Sequence, residues 1–415
     1  MPTASTLTET RIRFVCLARV LLFATFMTVA ATLPLLIRDW SLSATAAGAL
    51  ITAFTLGYAL SLFLFAWASD HLGAKRVVAS SALAAGISSL LFAFLARDWN
   101  SAFWLYGLIG LCQGGIYTPL IVLISDEIDP AKRGHAMGML IASTSVGYAA
   151  SLALCGLGIA LGGWPMAFIL TGMLPIFGAM LLIWTLGPLT NRIHPAQVNL
   201  RITDELLRNR QARLLNTGYI AHNWELLGMW AWIPGFLAAG FALKGLDSAQ
   251  ASMSGAYLSG FMHLFGAVAA LSMGRLSDRL GRQKLLLLLA ASSTLLSFSI
   301  GWLIHLPLVL LMLLVLAYAF TCLGDSPILT TALSEAVRPG YLGRVLAWRS
   351  LLGFIAGALA PLAFGGVLDL FQQAKPAIAW GMAFATLGIG GVVASYCAVR
   401  LQSNPVPAST LNKEL

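Results

Sequence analysis

Charge is scarce in this chain: only 10% of its 415 residues are Asp, Glu, Lys or Arg. A soluble domain carries about 25%, so a water-facing surface of ordinary extent cannot be built from this sequence. Cysteine is sparse as well. All five (Cys16, Cys112, Cys155, Cys322 and Cys397) lie in apolar stretches, and none forms a C-x-x-C pair. That excludes a disulfide framework and a thiolate metal site, and no metal or cofactor is expected. Also missing are H-E-x-x-H, G-x-S-x-G and G-x-x-x-x-G-K-[ST]. Hydrolases and ATP-driven machines need the residues of those patterns, so the chain is not read as an enzyme.

What is abundant is apolar sequence, at 59%. Runs of twenty or more such residues recur along the chain, each able to cross a hydrocarbon core roughly 30 Å thick as a helix. Their limits predict twelve spans, at about 14–37, 44–67, 77–96, 101–125, 135–162, 164–187, 214–241, 252–276, 285–305, 307–333, 342–368 and 376–399. Span 1 is too long for a signal-peptide core and lacks a small-residue cleavage site after it, so it is expected to be retained. Among the 25 Lys and Arg, only Arg38, Arg97, Lys244 and Lys375 occupy the loops of one side. Arg19 and Arg349 fall within spans, and the other 19 cluster on the opposite side. The positive-inside rule makes that side cytoplasmic, together with both termini. The net charge of +9 is then a topology signal, and nucleic acid is not expected as a partner. The setting is a lipid bilayer, expected to be a bacterial inner (plasma) membrane, and the protein is expected to be monomeric.

The longest connection, about Gly187 to Leu214, divides the spans six and six. It sets expected boundaries of 1–190 for an N-terminal bundle, 191–213 for a linker and 214–415 for a C-terminal bundle. Thr203 can cap a short helix carrying Leu206 and Leu207, which reads either as an amphipathic surface segment or as a solvated linker.

The halves repeat at an offset of 208 residues. "AWASDHLGAKR" after span 2 matches "GRLSDRLGRQK" after span 8, aligning Asp70 with Asp278 and Gly73 with Gly281. "YTPLIVLISDE" in span 4 matches "DSPILTTALSE" in span 10, aligning Pro119 with Pro327 and Glu127 with Glu335. Repeats of six spans with one orientation are expected from two bundles related by a pseudo-two-fold axis along the membrane normal. The fold class predicted is therefore an all-α membrane protein of twelve helices in two six-helix bundles.

Here the sequence resembles the major facilitator superfamily. Gly274-Arg275-Leu276-Ser277-Asp278-Arg279-Leu280-Gly281-Arg282 fits that family's G-x-x-x-D-R-x-G-R loop signature, and "AKRGHAMG" after span 4 fits its R-G-x-A-x-G pattern. The first copy of the loop is degenerate, with Ala66, His71 and Ala74 at the family's Gly, Arg and Arg positions. Helix N-termini favour anions, so Asp278 can accept hydrogen bonds at one. Arg279 and Arg282 can pair with carboxylates such as Glu335. The resemblance implies that contacts among Asp70, Gly73, Glu127 and these second-half residues latch the cytoplasmic side in one transport state. The plainer reading is that the charges fix topology and solvate a tight turn. Span 5 begins the family's antiporter motif with Gly138 and Gly147 but has Ser151 where Gly before Pro is expected.

Ionisable side chains at a helix centre cost at least about 2.5–3.5 kcal/mol, which makes Arg19, His222, Glu225, His263, Asp325 and Arg349 the informative residues. The resemblance implies a central cavity lined by spans 1, 4, 7 and 10, and four of the six lie on spans 1, 7 and 10. Span 4 adds Gln113 and Tyr117, one turn apart. Arg19, Asp325 and Arg349 share a depth, so Asp325 can pair with Arg349 as structural glue or with Arg19 as a gate. The antiparallel sequence of spans 10 and 11 favours the first. His222, Glu225, Met229 and Trp232 follow i, i+3, i+7, i+10 spacing and share one face of span 7; Pro234 just beyond loosens that helix. Low dielectric opposes a carboxylate's ionisation and an adjacent imidazolium favours it, which suits Glu225 and His222 to proton coupling. A non-titrating Glu225 bound to a neighbouring helix is the plain alternative. His263, off the cavity spans, reads as an interior hydrogen bond.

The reading that follows is a secondary transporter of a small solute working by rocker-switch alternating access, coupled to protons. Arg19 and Arg349 suit a small organic anion. The alternative is a multidrug/proton antiporter in which Glu225 attracts a lipophilic cation among the tryptophans.

Overall fold

The computed structural model of the chain describes residues 8–128, 133–193 and 208–401, and every regular element among them is helical. Ten stretches are long and apolar enough to cross a membrane. The twelve expected spans exceed that number for two physical reasons. Spans 5 and 6 run together as Arg133–Leu186 but part at Gly162 and Gly163, where the backbone leaves helical geometry. Span 1 is broken into Glu9–Leu22 and Thr28–Asp39, each too short to cross alone. The others are Ala44–Leu72, Ala74–Leu95, Arg210–Ala242, Ser248–Leu280, Arg282–Ile300, Leu308–Ala336, Pro339–Leu370 and Pro376–Arg400 for spans 2, 3 and 7 to 12, and Trp99–Gln113 with Thr118–Glu127 for span 4. The expected amphipathic segment at Thr203, Leu206 and Leu207 lies outside the described residues.

The chain forms two compact units. One comprises Met1–Gln197 with Leu237–Leu264, the other Val198–Phe236 with Phe265–Leu415.

In the first unit, the break in span 1 is held by three side chains from spans 4 and 5. Gln113 Nε2 donates to the Leu22 carbonyl at 2.9 Å. The Tyr106 hydroxyl donates to Phe26 O at 2.7 Å. Ser151 Oγ donates to Ala24 O at 2.5 Å and accepts from the Met27 N–H at 3.2 Å. Backbone groups freed from a helix find no water in hydrocarbon, so these partners are what makes the break tolerable. Ser151, the departure from the antiporter motif, has a structural task here. Span 4 is also interrupted, by the 3-10 turn Gly114–Ile116 ahead of Pro119, whereas span 10 runs uninterrupted through Pro327 and span 7 through Pro234.

Both units join spans 2–3 and 8–9 by a single glycine. Gly73 has φ +83° and ψ 142°, and Gly281 has φ +87° and ψ 138°. A side chain is strained at such angles, and the same glycine closes both turns, as the repeat predicts. The span that follows is tied down alike in each unit. Lys75 Nζ donates to the carbonyls of Gly187 and Leu189 beyond span 6, and Gln283 Nε2 to those of Val399 and Leu401 beyond span 12. At the opposite end of span 4, Asp98 caps the helix by accepting from the Ser101 N–H at 2.8 Å. That bond, with the Ser101 hydroxyl, holds the carboxyl below its usual range. The cap therefore contributes above the ordinary carboxylate pKa and is lost as pH falls through the depressed one.

Ser151→Ala leaves Ala24 O and Met27 N–H without this partner and is expected to cost about 1–3 kcal/mol. A thermal unfolding midpoint equal to that of the unaltered protein would show that the hydroxyl does not hold the break.

Candidate functional site

In the first unit Arg19 is buried, 1% exposed. Nη2 donates to Thr144 Oγ1 of span 5 at 2.8 Å. The guanidinium carbon lies 5.4 Å from the ring centres of both Phe23 and Tyr117. Arg19 Nε has no hydrogen-bond partner among the described residues, and no carboxylate among them lies within ion-pair distance of the guanidinium. Tyr117 sits at the interruption of span 4, which turns its ring towards Arg19. Gln113, expected one turn away in the same polar wall, instead spends its amide on the span 1 break, as described above. His263 is buried against the Tyr148 ring, with centroids 5.3 Å apart.

In the second unit the expected partners rearrange. Asp325 pairs with His222, Oδ1 to Nδ1 at 2.9 Å, and both are nearly wholly buried. The other imidazole nitrogen lies 2.8 Å from Ser326 Oγ. Arg349, the partner expected of Asp325 within its own bundle, is turned elsewhere: Nη2 donates to Thr330 Oγ1 at 3.0 Å, and its guanidinium stacks 4.0 Å from the Tyr219 ring centre. The reason is helical geometry. Thr330 lies five residues beyond Asp325, about 140° round the helix at ~100° per residue, so span 10 offers its carboxylate and this hydroxyl to different neighbours.

Glu225 accepts from Ser293 Oγ of span 9 at 2.6 Å. Trp232 Nε1 donates to Pro361 O at 3.1 Å and stacks on Phe364. The His222–Glu225–Met229–Trp232 face does exist, but it is packed into its own unit, with partners on spans 9, 10 and 11. Hydroxyls complete most of these sites. Thr144, Ser293, Ser326 and Thr330 were invisible as candidates because single Ser or Thr residues are common in membrane helices and usually bond their own backbone.

The loop signature resolves into one ion cluster. Arg282 grips Glu335 through two nitrogens, Nε–Oε2 at 2.6 Å and Nη2–Oε1 at 2.5 Å. Its Nη1 reaches Asp278 Oδ1 and Ser277 Oγ, each at 3.1 Å. Asp278 therefore meets Arg282 and not the helix N-terminus expected of it, because the guanidinium, four residues on, reaches its carboxylate first. Arg279 makes no ion pair with Glu335. Gly274 lies on span 8 beside Pro327. In the first unit Ala74 replaces the second arginine, and Glu127 draws its charge from elsewhere: Arg192 Nη2 stands 3.2 Å from Glu127 Oε1. Asp70 shows no counterpart of the Asp278 pair among the described residues. The paired glutamates persist across the repeat while their arginines come from different places.

Comparison with known proteins agrees with this architecture. The sequence profile of the Major Facilitator Superfamily matches residues 15–361, and the chain belongs to that family. It is 24% identical over 272 residues to the inner membrane transport protein YnfM of Escherichia coli (strain K12), covering 64% of this chain and 62% of that one, less than two thirds of its length. It is 23% identical over 413 residues to a probable sulfoacetate transporter, SauU, of Cupriavidus necator, covering 92% and 91%. The crystal structure of an inward-facing bacterial homologue of the human lysosomal transporter Spinster superposes with a TM-score of 0.73 at 15% identity, covering 94% of each chain. That likeness is one of fold.

Arg282→Ala removes a two-pronged pair with Glu335 and is expected to lower the unfolding midpoint. That pair is part-exposed and worth up to ~1 kcal/mol, and the effect should shrink in concentrated salt. An unchanged midpoint would refute it.

Proposed function

We propose that the protein is a proton-coupled secondary transporter of a small organic anion, working by alternating access in a bacterial plasma membrane with both termini cytoplasmic. Membership of the Major Facilitator Superfamily supports the coarse reading, a multi-pass membrane transporter of small solutes. The division into an N-terminal bundle, a linker and a C-terminal bundle at 1–190, 191–213 and 214–415 belongs to the same proposal.

The observation that carries the anion is Arg19. A buried guanidinium is costly unless paired, and among the described residues this one has a hydroxyl and two aromatic faces but no carboxylate. Its Nε is left over. A carboxylate or sulfonate oxygen is the group that would complete such a set, since guanidinium binds planar or multidentate oxyanions well. The name of SauU, a probable sulfoacetate transporter, points to the same substrate class. A lipophilic cation would be repelled by Arg19, and Trp232 is already committed to Pro361 and Phe364. The exporter reading therefore has less support.

Proton coupling rests on the second unit. His222 and Asp325 share a short contact in a buried setting, and Glu225 lies one turn further along span 7, accepting from Ser293 Oγ. Such a group of acid, imidazole and acid can change its proton content by one, and its net charge changes by one unit when it does. Arg19 cannot take that part, because guanidinium stays protonated.

In proteoliposomes, uptake or exchange of a labelled carboxylate or sulfonate such as sulfoacetate is expected to be inhibited by other small acids and not by aromatic cations. Arg19→Ala should abolish it, and Arg19→Lys should leave weak transport with raised KM. Inhibition by aromatic cations alone would transfer support to the exporter. Asp325→Asn and Glu225→Gln are expected to stop accumulation driven by a pH gradient while sparing counterflow exchange; undiminished accumulation in both would remove the proton role.

A further inference from the structure

The second unit contains space that the pairings above do not account for. At one end, a cleft of about 250 Å³ is lined by polar groups including Gln211, Ser277, Asp278, Arg282 and Glu335. A second, narrow chamber of about 10 Å³ is lined by Asp325, Gly218, Ala290, Ala394, Cys397 and several leucines. That volume is room for about one water molecule. Leu215 and Leu401 line both, so only those two side chains stand between the spaces.

The lining residues recur at helical spacing on each wall. Span 10 contributes Asp325, Leu329, Ala332 and Ala336; span 7 contributes Gly218, Leu215 and Gln211. From Asp325 to Ala336 the wall runs about 16 Å, at ~1.5 Å per residue. The walls are cut back by small side chains. At Gly218 an added methyl group would stand 3.5 Å from Cys397 Cβ and 3.8 Å from Leu329 Cδ2, in ordinary contact.

The repeat aligns part of this wall with bulkier residues of the first unit. At the offset of 208, Ala332 and Ala336 correspond to Ile124 and Ile128, and both isoleucines are buried in the hydrophobic core of the first unit. Asp325 corresponds to Tyr117. Where the first unit is filled with branched side chains, the second has alanines leading to a buried acid.

We infer that spans 7, 9, 10 and 12 enclose a hydrated route by which protons pass between the Asp278–Arg282–Glu335 cleft and the Asp325–His222 pair, inside the second unit alone. The inference rests on the proton-coupled reading of that pair. A hydronium ion in the cleft gives up a proton along water to an oxygen of Asp325; one O–H bond breaks as another forms, water remains, and no electrons are exchanged. The reverse step returns the proton. Asp325 faces His222 and Glu225 of span 7 and Cys322 of its own span, with Cys397 of span 12 across the chamber. Span 9 presents only Leu286 and Ala290 there, and Arg349 of span 11 is turned to Thr330. Under this arrangement the substrate pathway need not be open for the pair to exchange its proton with this end of the molecule.

The test is protonation of the reconstituted full chain after a step from alkaline to acidic buffer, followed by time-resolved infrared spectroscopy. The C=O stretch of protonated Asp325 is identified by its loss in Asp325→Asn. Gly218→Leu and Ala332→Ile, the latter restoring the first-unit residue, are expected to slow its appearance at least about tenfold, equivalent to about 1.4 kcal/mol on the barrier. Ala332→Val should fall between. Unchanged rates in folded variants would overturn the route while leaving the pair's proton role intact. Absence of any band that Asp325→Asn removes would instead overturn the proton role. Should the variants misfold, radiolytic hydroxyl-radical labelling of the unaltered protein decides: water in the chamber labels Cys397 and Leu329, and a dry chamber leaves both unlabelled.

Discussion

In a hydrocarbon solvent no backbone N–H or C=O can turn to water, and each one left unbonded costs several kcal/mol. That constraint explains why every regular element among the described residues is helical. It also explains why a departure from the helix inside a span calls for side-chain donors. The break at residues 23–27 is the clearest case, with Gln113, Tyr106 and Ser151 all directed at the carbonyls and amide it releases. A polar residue in a membrane helix is easily taken for part of a transport pathway. Here three of them repair backbone, and the break they permit lies one turn beyond Arg19, where the chain's first buried charge needs a wide, aromatic-walled surround.

The repeat shows which features a six-helix unit needs and which are free to change. The glycine at the tight turn keeps nearly the same backbone angles in both units, because no side chain is comfortable there. The anchoring of the following span by a long side chain on two carbonyls also persists, though Lys75 does it in one unit and Gln283 in the other. The glutamate ending spans 4 and 10 finds an arginine in each unit, but from unrelated positions. What is retained is charge neutralisation at the helix end, and the identity of the donor is incidental. Against that shared frame, the alanines at 332 and 336 are a change to smaller side chains within a buried cluster.

The fold was legible because its signal is spread over hundreds of residues: apolar length, the sidedness of Lys and Arg, and a repeat containing turn glycines. The break in span 1 was not, since Phe23 to Met27 is as apolar as the helix around it and contains neither Gly nor Pro. The candidate charges Arg19, His222, Glu225, His263, Asp325 and Arg349 are buried, but their partners were not legible. Pairing depends on helix rotation, and a difference of five residues, as between Asp325 and Thr330, sends neighbouring groups to different spans. The face shared by His222, Glu225 and Trp232 was read rightly as a face, and its direction could be known only once spans 9 to 12 were in place.

The two kinds of buried charge differ in what they can do, and the difference follows from chemistry alone. A guanidinium keeps its proton under any condition a cell offers, so Arg19 can be neutralised only by something that arrives, and its aromatic walls lower the cost of waiting. An imidazole beside a carboxylate is different: the pair is close to neutral whichever group holds the proton, and adding or removing one changes its charge by a single unit in a medium where that unit matters greatly. On the proposed reading, such a pair in one unit and Arg19 in the other are two sites whose occupancies are set by different species. A transporter that links a solute gradient to a proton gradient requires two such sites.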